Sequence, residues 1–264
     1  MSPNTLTRPS HDTLAGRAAL RTLLRTETRL YLREPLTAFF TLLLPLGLLL
    51  ILGSAIPGFR DPDPNLGGER VVDTQLPVMM IVLSIMVSAF SIIPSVLAVY
   101  RERGVLRRMS VTPVSPGALL LTQLVINLVT TVVAALLMIM CGSLVFGTRM
   151  PTQLPVFALA FVLGVCGLFA LGLCLAAVVP NSRVAGGLGS VVMFPLMFLA
   201  GMWVPRELMP EILREIGDFT PTGAFGQALR DAWAGTTPET LHLAVLAAWA
   251  VAATLLAART FRWE

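Results

Sequence analysis

Pro77–Tyr100 reads PVMMIVLSIMVSAFSIIPSVLAVY, 24 residues without an Asp, Glu, Arg or Lys. A helix needs about 20 such residues to cross roughly 30 Å of hydrocarbon. The next three residues, Arg101-Glu102-Arg103, stop the run abruptly. Five further stretches of the same kind lie at Thr37–Ile56, Ala118–Leu144, Pro155–Val179, Val184–Trp203 and Leu243–Ala258. The fourth and fifth runs are separated by a tight turn around Pro180-Asn181-Ser182-Arg183. Across all 264 residues, 55% are hydrophobic and 13% charged, against about 25% charged in soluble domains. The expected fold is all-α and integral to a membrane, with six transmembrane helices over 37–264 after a cytoplasmic segment over 1–36.

Charge sets the expected orientation, because Arg and Lys collect on the cytoplasmic side of short loops. All 19 basic residues are Arg. With the N-terminus inside, thirteen of them fall on the cytoplasmic side and six outside, whereas five of the 15 acids fall inside and ten outside. Both termini are therefore expected in the cytoplasm. The net charge of +4 follows membrane topology and does not call for nucleic acid. No secretory signal peptide is expected, since the segment before the first run is polar and Arg-rich. Cys141, Cys166 and Cys174 lie in apolar runs with no CxxC or Cys/His cluster, so neither a disulfide nor a metal is implied.

From Leu14 to Glu34 the sequence reads as an amphipathic helix ending before Pro35. Arg17, Arg21, Arg25, Arg29 and Arg33 recur every four residues and sweep one broad face, while Ala19, Leu20, Leu23, Leu24, Leu30 and Tyr31 fall opposite. Such a helix lies in the interface with its Arg heads toward anionic lipid. Glu27 sits in the middle of the apolar face, where a charge needs a partner; an Arg is one candidate.

Between the second and third runs lies a charged loop, 101–117. Arg101, Glu102, Arg103, Gly104, Val105, Leu106, Arg107, Arg108 and Met109 can make one or two helical turns before Thr112-Pro113 ends them. Ser115-Pro116 then resembles an N-cap and first helical residue for the third span. Val105, Leu106 and Met109 on one side and Arg on the other suit docking into a groove of another protein.

An external hairpin is expected over 205–241. Its first helix runs from Arg206 to Gly217, with Leu208, Ile212, Leu213 and Ile216 on one face and Gly217 closing it. A second runs from Thr220-Pro221 through Ala232 and carries Arg230. Neither is long enough to cross a bilayer; both can dip into the outer leaflet or cap a cavity.

The loop Arg101–Pro116 resembles the cytoplasmic segment of Arg, Glu and Gly leading into Thr-Pro in type-2 ABC exporter permeases of the daunorubicin-resistance type. Phe194-Pro195 through Gly201, Trp203-Val204-Pro205, Pro210, Pro221 and Ala228-Leu229-Arg230 are similar to that family's signature around its fifth span and external helices. The resemblance implies a homodimer or heterodimer of six-span subunits in the bacterial plasma membrane, bound to two separate ABC ATPase subunits. The 101–109 segment would be the coupling helix, and the helix carrying Arg17, Arg21, Arg25, Glu27 and Arg29 the connecting helix. Arg107-Arg108 departs from the more acidic or amide character expected there. Spans two and five would line the substrate path, making Met79, Met80, Met86, Phe90, Met193, Phe194, Met197, Phe198 and Met202 its candidate lining; thioether and aromatic groups suit a pliable apolar site. Pro94 and Pro195 are expected to bend those spans, and Ala185, Gly186, Gly189 and Ser190 to favour close helix packing.

The chain has no GxxxxGK[ST] phosphate loop, so it is expected to bind no cofactor and to leave ATP and Mg to the partner ATPase. Neither a nucleophilic triad nor a carboxylate pair is evident. The absence of charge or His within the runs argues against a proton- or sodium-coupled transporter. No EAA-type segment points to an importer, and a non-transporting scaffold is the remaining rival. Only four Trp and two Tyr occur, fewer than an aromatic-lined polysaccharide channel would use. The expected cargo is a lipophilic drug, antibiotic or lipid, with a glycan as the alternative.

Overall fold

The computed structural model describes residues 11–66, 68–105 and 116–260. Among these, every regular element is a helix. They are α1 (His11–Arg33), α2 (Pro35–Ala55), α3 (Gln75–Glu102), α4 (Pro116–Phe146), α5 (Leu154–Val178), α6 (Ser182–Leu199), α7 (Glu211–Phe219), α8 (Pro221–Ala234) and α9 (Thr240–Thr260). Six of them, α2 to α6 and α9, are long and apolar enough to cross a membrane. Arg101, Arg103, Arg183 and Arg259 lie at one end of the bundle, called here the basic end; Asp61, Asp63, Glu69 and Asp73 lie on the connection at the other, acidic end.

The quoted stretch forms the centre. Almost every residue of α3 from Leu76 to Pro94 is buried, which is why its sequence is apolar all round rather than on one stripe. It is not a regular helix: Ser88–Ile92 makes a π-turn just ahead of Pro94. Proline lacks an N–H, and its ring crowds the carbonyl four residues back, so one wider turn relieves the clash. The same device recurs in α2, where Phe39–Leu43 widens ahead of Pro45. Pro195 sits inside α6 without such a turn.

α5 and α6 close on that widened turn through glycines. A Cβ on Gly172 would fall 2.1 Å from the Ala89 carbonyl oxygen, and one on Gly189 2.0 Å from that of Phe90. Ala185 is buried on the same side of α6, while Gly186 faces open space. The small-residue pattern thus splits, with Ala185 and Gly189 packing within the subunit.

The expected hairpin exists, but its halves differ. α8 is buried along almost its whole length, including Arg230 and Trp233, so it is a re-entrant-like core helix rather than a surface one. Thr220 caps its N-terminus, accepting from the Gly223 amide at 3.1 Å, and Gly235, at φ +89°, ends it. Its last carbonyls are satisfied from the α4–α5 turn. The Thr152 and Gln153 amides donate to Trp233 and Ala232, and the Gln153 side chain to Gly235 at 2.7 Å. Gly217 does not stop α7, which continues to Phe219; a Cβ there would press to 2.9 Å from the Leu199 carbonyl, so close approach explains this glycine. Arg206 and Leu208 belong to a separate 3-10 turn. α6 ends at Leu199, earlier than Trp203, because Gly201 turns the chain at φ +82°.

Candidate functional site

Three consecutive residues at the basic end of α3 reach four different helices. Tyr100 donates its hydroxyl to Glu27 Oε2 of α1 at 2.5 Å, and Gln123 of α4 donates Nε2 to the same oxygen at 2.7 Å. Glu27 is only 7% exposed, so a tyrosine and a glutamine, rather than an Arg, satisfy the carboxylate on the apolar face. Arg101 donates to the Val179 and Ala176 carbonyls at 2.9 and 3.2 Å, at the end of α5. Glu102 accepts from the Ser182 amide at 2.8 Å and from its hydroxyl, at the start of α6.

The signs suit the helix ends. A helix C-terminus leaves carbonyls unpaired and carries partial negative charge, and an N-terminus leaves amides and partial positive charge. Arg101 and Glu102 therefore hold both sides of the tight α5–α6 turn, and Asn181 completes it by accepting from the Val184 amide at 2.9 Å. The end of α3 is thus bonded to α1, α4, α5 and α6.

A second polar cluster lies at the acidic end. Arg206 donates to Asp218, at the end of α7, and to the Arg214 carbonyl at 3.3 Å. Asp218 also meets His242 Nε2, in the first turn of α9, at 3.0 Å. Trp249 of α9 donates to the Phe219 carbonyl at 2.9 Å. His242 is thus a buried residue of a helix. Arg206→Leu is expected to loosen the α7–α8 hairpin. The loss should sit at the low end of the about 3–5 kcal/mol seen when a buried ion pair is broken, because 23% of the Asp218 side chain remains exposed. A lowered thermal midpoint of the purified protein checks it.

The family comparison decides what this arrangement belongs to. The ABC-2 type transporter family matches residues 18–233, from α1 through α8. This chain belongs to that family. It is similar to the inner membrane transport permease YhhJ of Escherichia coli K12, at 28% identity over 149 residues, 56% of this chain and 40% of YhhJ. It is also similar to the putative transport permease YvfS of Bacillus subtilis 168, at 23% identity over 188 residues, 71% of this chain and 76% of YvfS. The match to YhhJ thus spans less than half of that relative's length.

In this ABC-2 permease the sequence-predicted residues separate into groups. Of the 101–109 segment, Arg101 and Glu102 bond within the subunit, Arg103 is exposed, Gly104 turns at φ +63°, and Val105 is half-buried. Leu106, Arg107, Arg108 and Met109 lie outside the described residues. Arg21, Arg25 and Arg29 line the exposed side of α1 opposite Glu27, and the side chain of Arg17 lies outside the described part. Met80, Met86 and Phe90 are buried in the subunit core, and Met79 is half-buried beside them. On and beyond α6, Met197 is buried; Met193, Phe198 and Met202 are half-buried. Phe194 is exposed and stacks on Trp203, with ring centroids 6.1 Å apart. Leu208, Ile212 and Ile216 are exposed, whereas Pro221 and Arg230 are buried in α8.

Sequence reasoning passed over Tyr100, Gln123, Asp218 and His242. Gln123, with Asn127, was visible as an amide inside an apolar run, and a buried amide implies a hydrogen-bond partner. Nothing local marks Asp218, whose partners come from other elements.

Proposed function

We propose that this permease is the membrane half of an ATP-driven exporter, working as a dimer with a second copy or paralogue and with two copies of an ABC ATPase. The observation that carries the reading is the run Tyr100-Arg101-Glu102, which ties the start of the 101–109 segment to α1, α4, α5 and α6. ATP binding and hydrolysis, with Mg, take place on the ATPase. Its closure pushes on the coupling segment, and the hub turns that push into tilting of whole helices.

The basic end faces the cytoplasm of a bacterial cell, both termini included, in keeping with the Arg distribution. The second subunit packs against the outer face of α6, where Val191, Phe194 and Trp203 are exposed, because the family resemblance puts the fifth span at the dimer interface. With Met80, Met86 and Phe90 in the core, the cargo path is assigned to this α6 surface, with Phe194 and Phe198 as contacts. The cargo is a lipophilic drug, antibiotic or lipid, moved outward by alternating access.

Gly104→Val tests the coupling. Gly104 has φ +63°, where a β-branched residue is strained by about 1–3 kcal/mol. In vesicles holding the permease and its ATPase, the expected result is at least a tenfold fall in ATP-driven export with insertion unchanged. Export at the wild-type rate would remove the coupling assignment.

A further inference from the structure

An apolar cavity lies away from both clusters. A groove of about 460 Å³ opens between α4, α5 and α9, within the range of about 300–1,000 Å³ typical of small-molecule sites. Its wall includes Leu121 and Val125 of α4, Cys166 and Phe169 of α5, and Thr254 and Ala258 of α9. These all fall in the basic-end half of the bundle: early in α4 and late in α9. On α4 the lining runs from Leu120 to Leu128, about 12 Å at 1.5 Å per residue, close to the roughly 15 Å of hydrocarbon in one leaflet.

We propose that this groove holds an acyl chain of an anionic phospholipid from the leaflet at the basic end. Depth excludes water-soluble occupants, because the groove lies between spans within the hydrocarbon. The lining is apolar apart from Thr254 and Cys166, so a hydrocarbon chain is matched along its length. Charge selects the headgroup: exposed Arg259 follows Ala258 at the end of the groove that meets the interface, and a cation there favours an anionic lipid. The groove does not involve α6, so it remains open when a second subunit covers that helix. Naming the leaflet cytoplasmic rests on the orientation proposed above; retention of the lipid does not.

The test is native mass spectrometry of the full-length permease–ATPase complex, purified from membranes containing phosphatidylglycerol and phosphatidylethanolamine. The wild type is expected to keep about one phosphatidylglycerol per permease chain. Val125→Trp, which fills the groove from an exposed position, should reduce retention at least fivefold. Arg259→Gln should keep a lipid but lose the preference for phosphatidylglycerol. Equal retention in wild type and Val125→Trp would overturn the proposal. So would disulfide cross-linking of Cys166 between two permease chains under mild oxidation, since that would give the groove to a second copy. A misfolded Val125→Trp would be recognised by lost ATPase binding, and Val125→Phe then takes its place. Assembly with the ATPase is read in the same spectra, so loss of lipid and loss of the exporter assembly are seen separately.

Discussion

Gly189→Val is expected to keep the bundle from closing, with at least a tenfold fall in monodisperse protein extracted from membranes. The added Cβ would sit 2.0 Å from the Phe90 carbonyl oxygen, far inside van der Waals contact. The obstacle is backbone in the central helix, so no side chain can swing away. Over-packing that side chains can absorb costs about 1–3 kcal/mol, and a clash with fixed backbone exceeds that; each 1.4 kcal/mol is about tenfold in the folded population. The Phe90 carbonyl is also the one whose regular α-helical donor would be the N–H that Pro94 lacks. A glycine Cα–H lies close to it in place of that amide. Gly172→Val, at 2.1 Å from the Ala89 carbonyl, should behave alike. Gly186→Val is the control, because nothing lies within 4 Å of its Cβ, and its yield should match the wild type. Normal yields of Gly189→Val, read by size-exclusion chromatography, would show that α3 and α6 do not meet as described.

Glu27→Ala is expected to release α1 from the base of α3 and α4, abolishing export while leaving the spans inserted. The change removes the shared acceptor of two donors, Tyr100 and Gln123, 73 and 96 residues away in sequence. Buried Gln123 and half-buried Tyr100 are each left short of one bond. Losing a charged acceptor in this setting costs about 1.5–3 kcal/mol for each hydrogen bond. Glu27→Gln keeps one acceptor oxygen of the same reach, so it should retain part of the activity. A role limited to lipid contact would make the two variants equivalent; a rank order of wild type, Gln, then Ala is the expected signature. Protease access to α1 in intact vesicles provides the second readout, rising in Ala and little changed in Gln.

The six spans were legible because a bilayer demands long uncharged runs, and α2 illustrates how closely: Thr37–Ile56 was expected and Pro35–Ala55 is found. The π-turn at Ser88–Ile92 was half legible, since Pro94 announced a disturbance but not its form. α8 was legible as a short helix able to dip or cap, but the depth of its burial was not, because it carries Arg230 and Asp231, residue types usually left exposed. Its small residues instead let it sink into the bundle, where Gly164 of α5 makes room for the Phe225 ring. Gly217 looked like a helix stop for the same reason: sequence shows that a glycine is present, not whether a turn or a neighbouring backbone requires it. Glu27 announced an unmet need on an apolar face, and Gln123 was its mate in plain view. Pairing them needed the fold, because separation in sequence hides which helices touch. Arg101 and Glu102 read in sequence as coupling residues; in the fold both also bond within the subunit, Arg101 half-buried and Glu102 exposed, because the α5–α6 turn offers bare carbonyls and amides beside them.

The measurement closest to the core of this reading is ATP-driven transport in sealed vesicles, run with the permease alone, the cognate ATPase alone and the two together. A panel of labelled amphiphiles serves as cargo, and phosphate release is followed in parallel. Transport and its stimulation of hydrolysis are expected only when both proteins are present, and both should collapse in Gly104→Val and Glu27→Ala. Nucleotide hydrolysis or cargo movement by the permease alone would contradict the assignment of a passive gate driven by a separate engine.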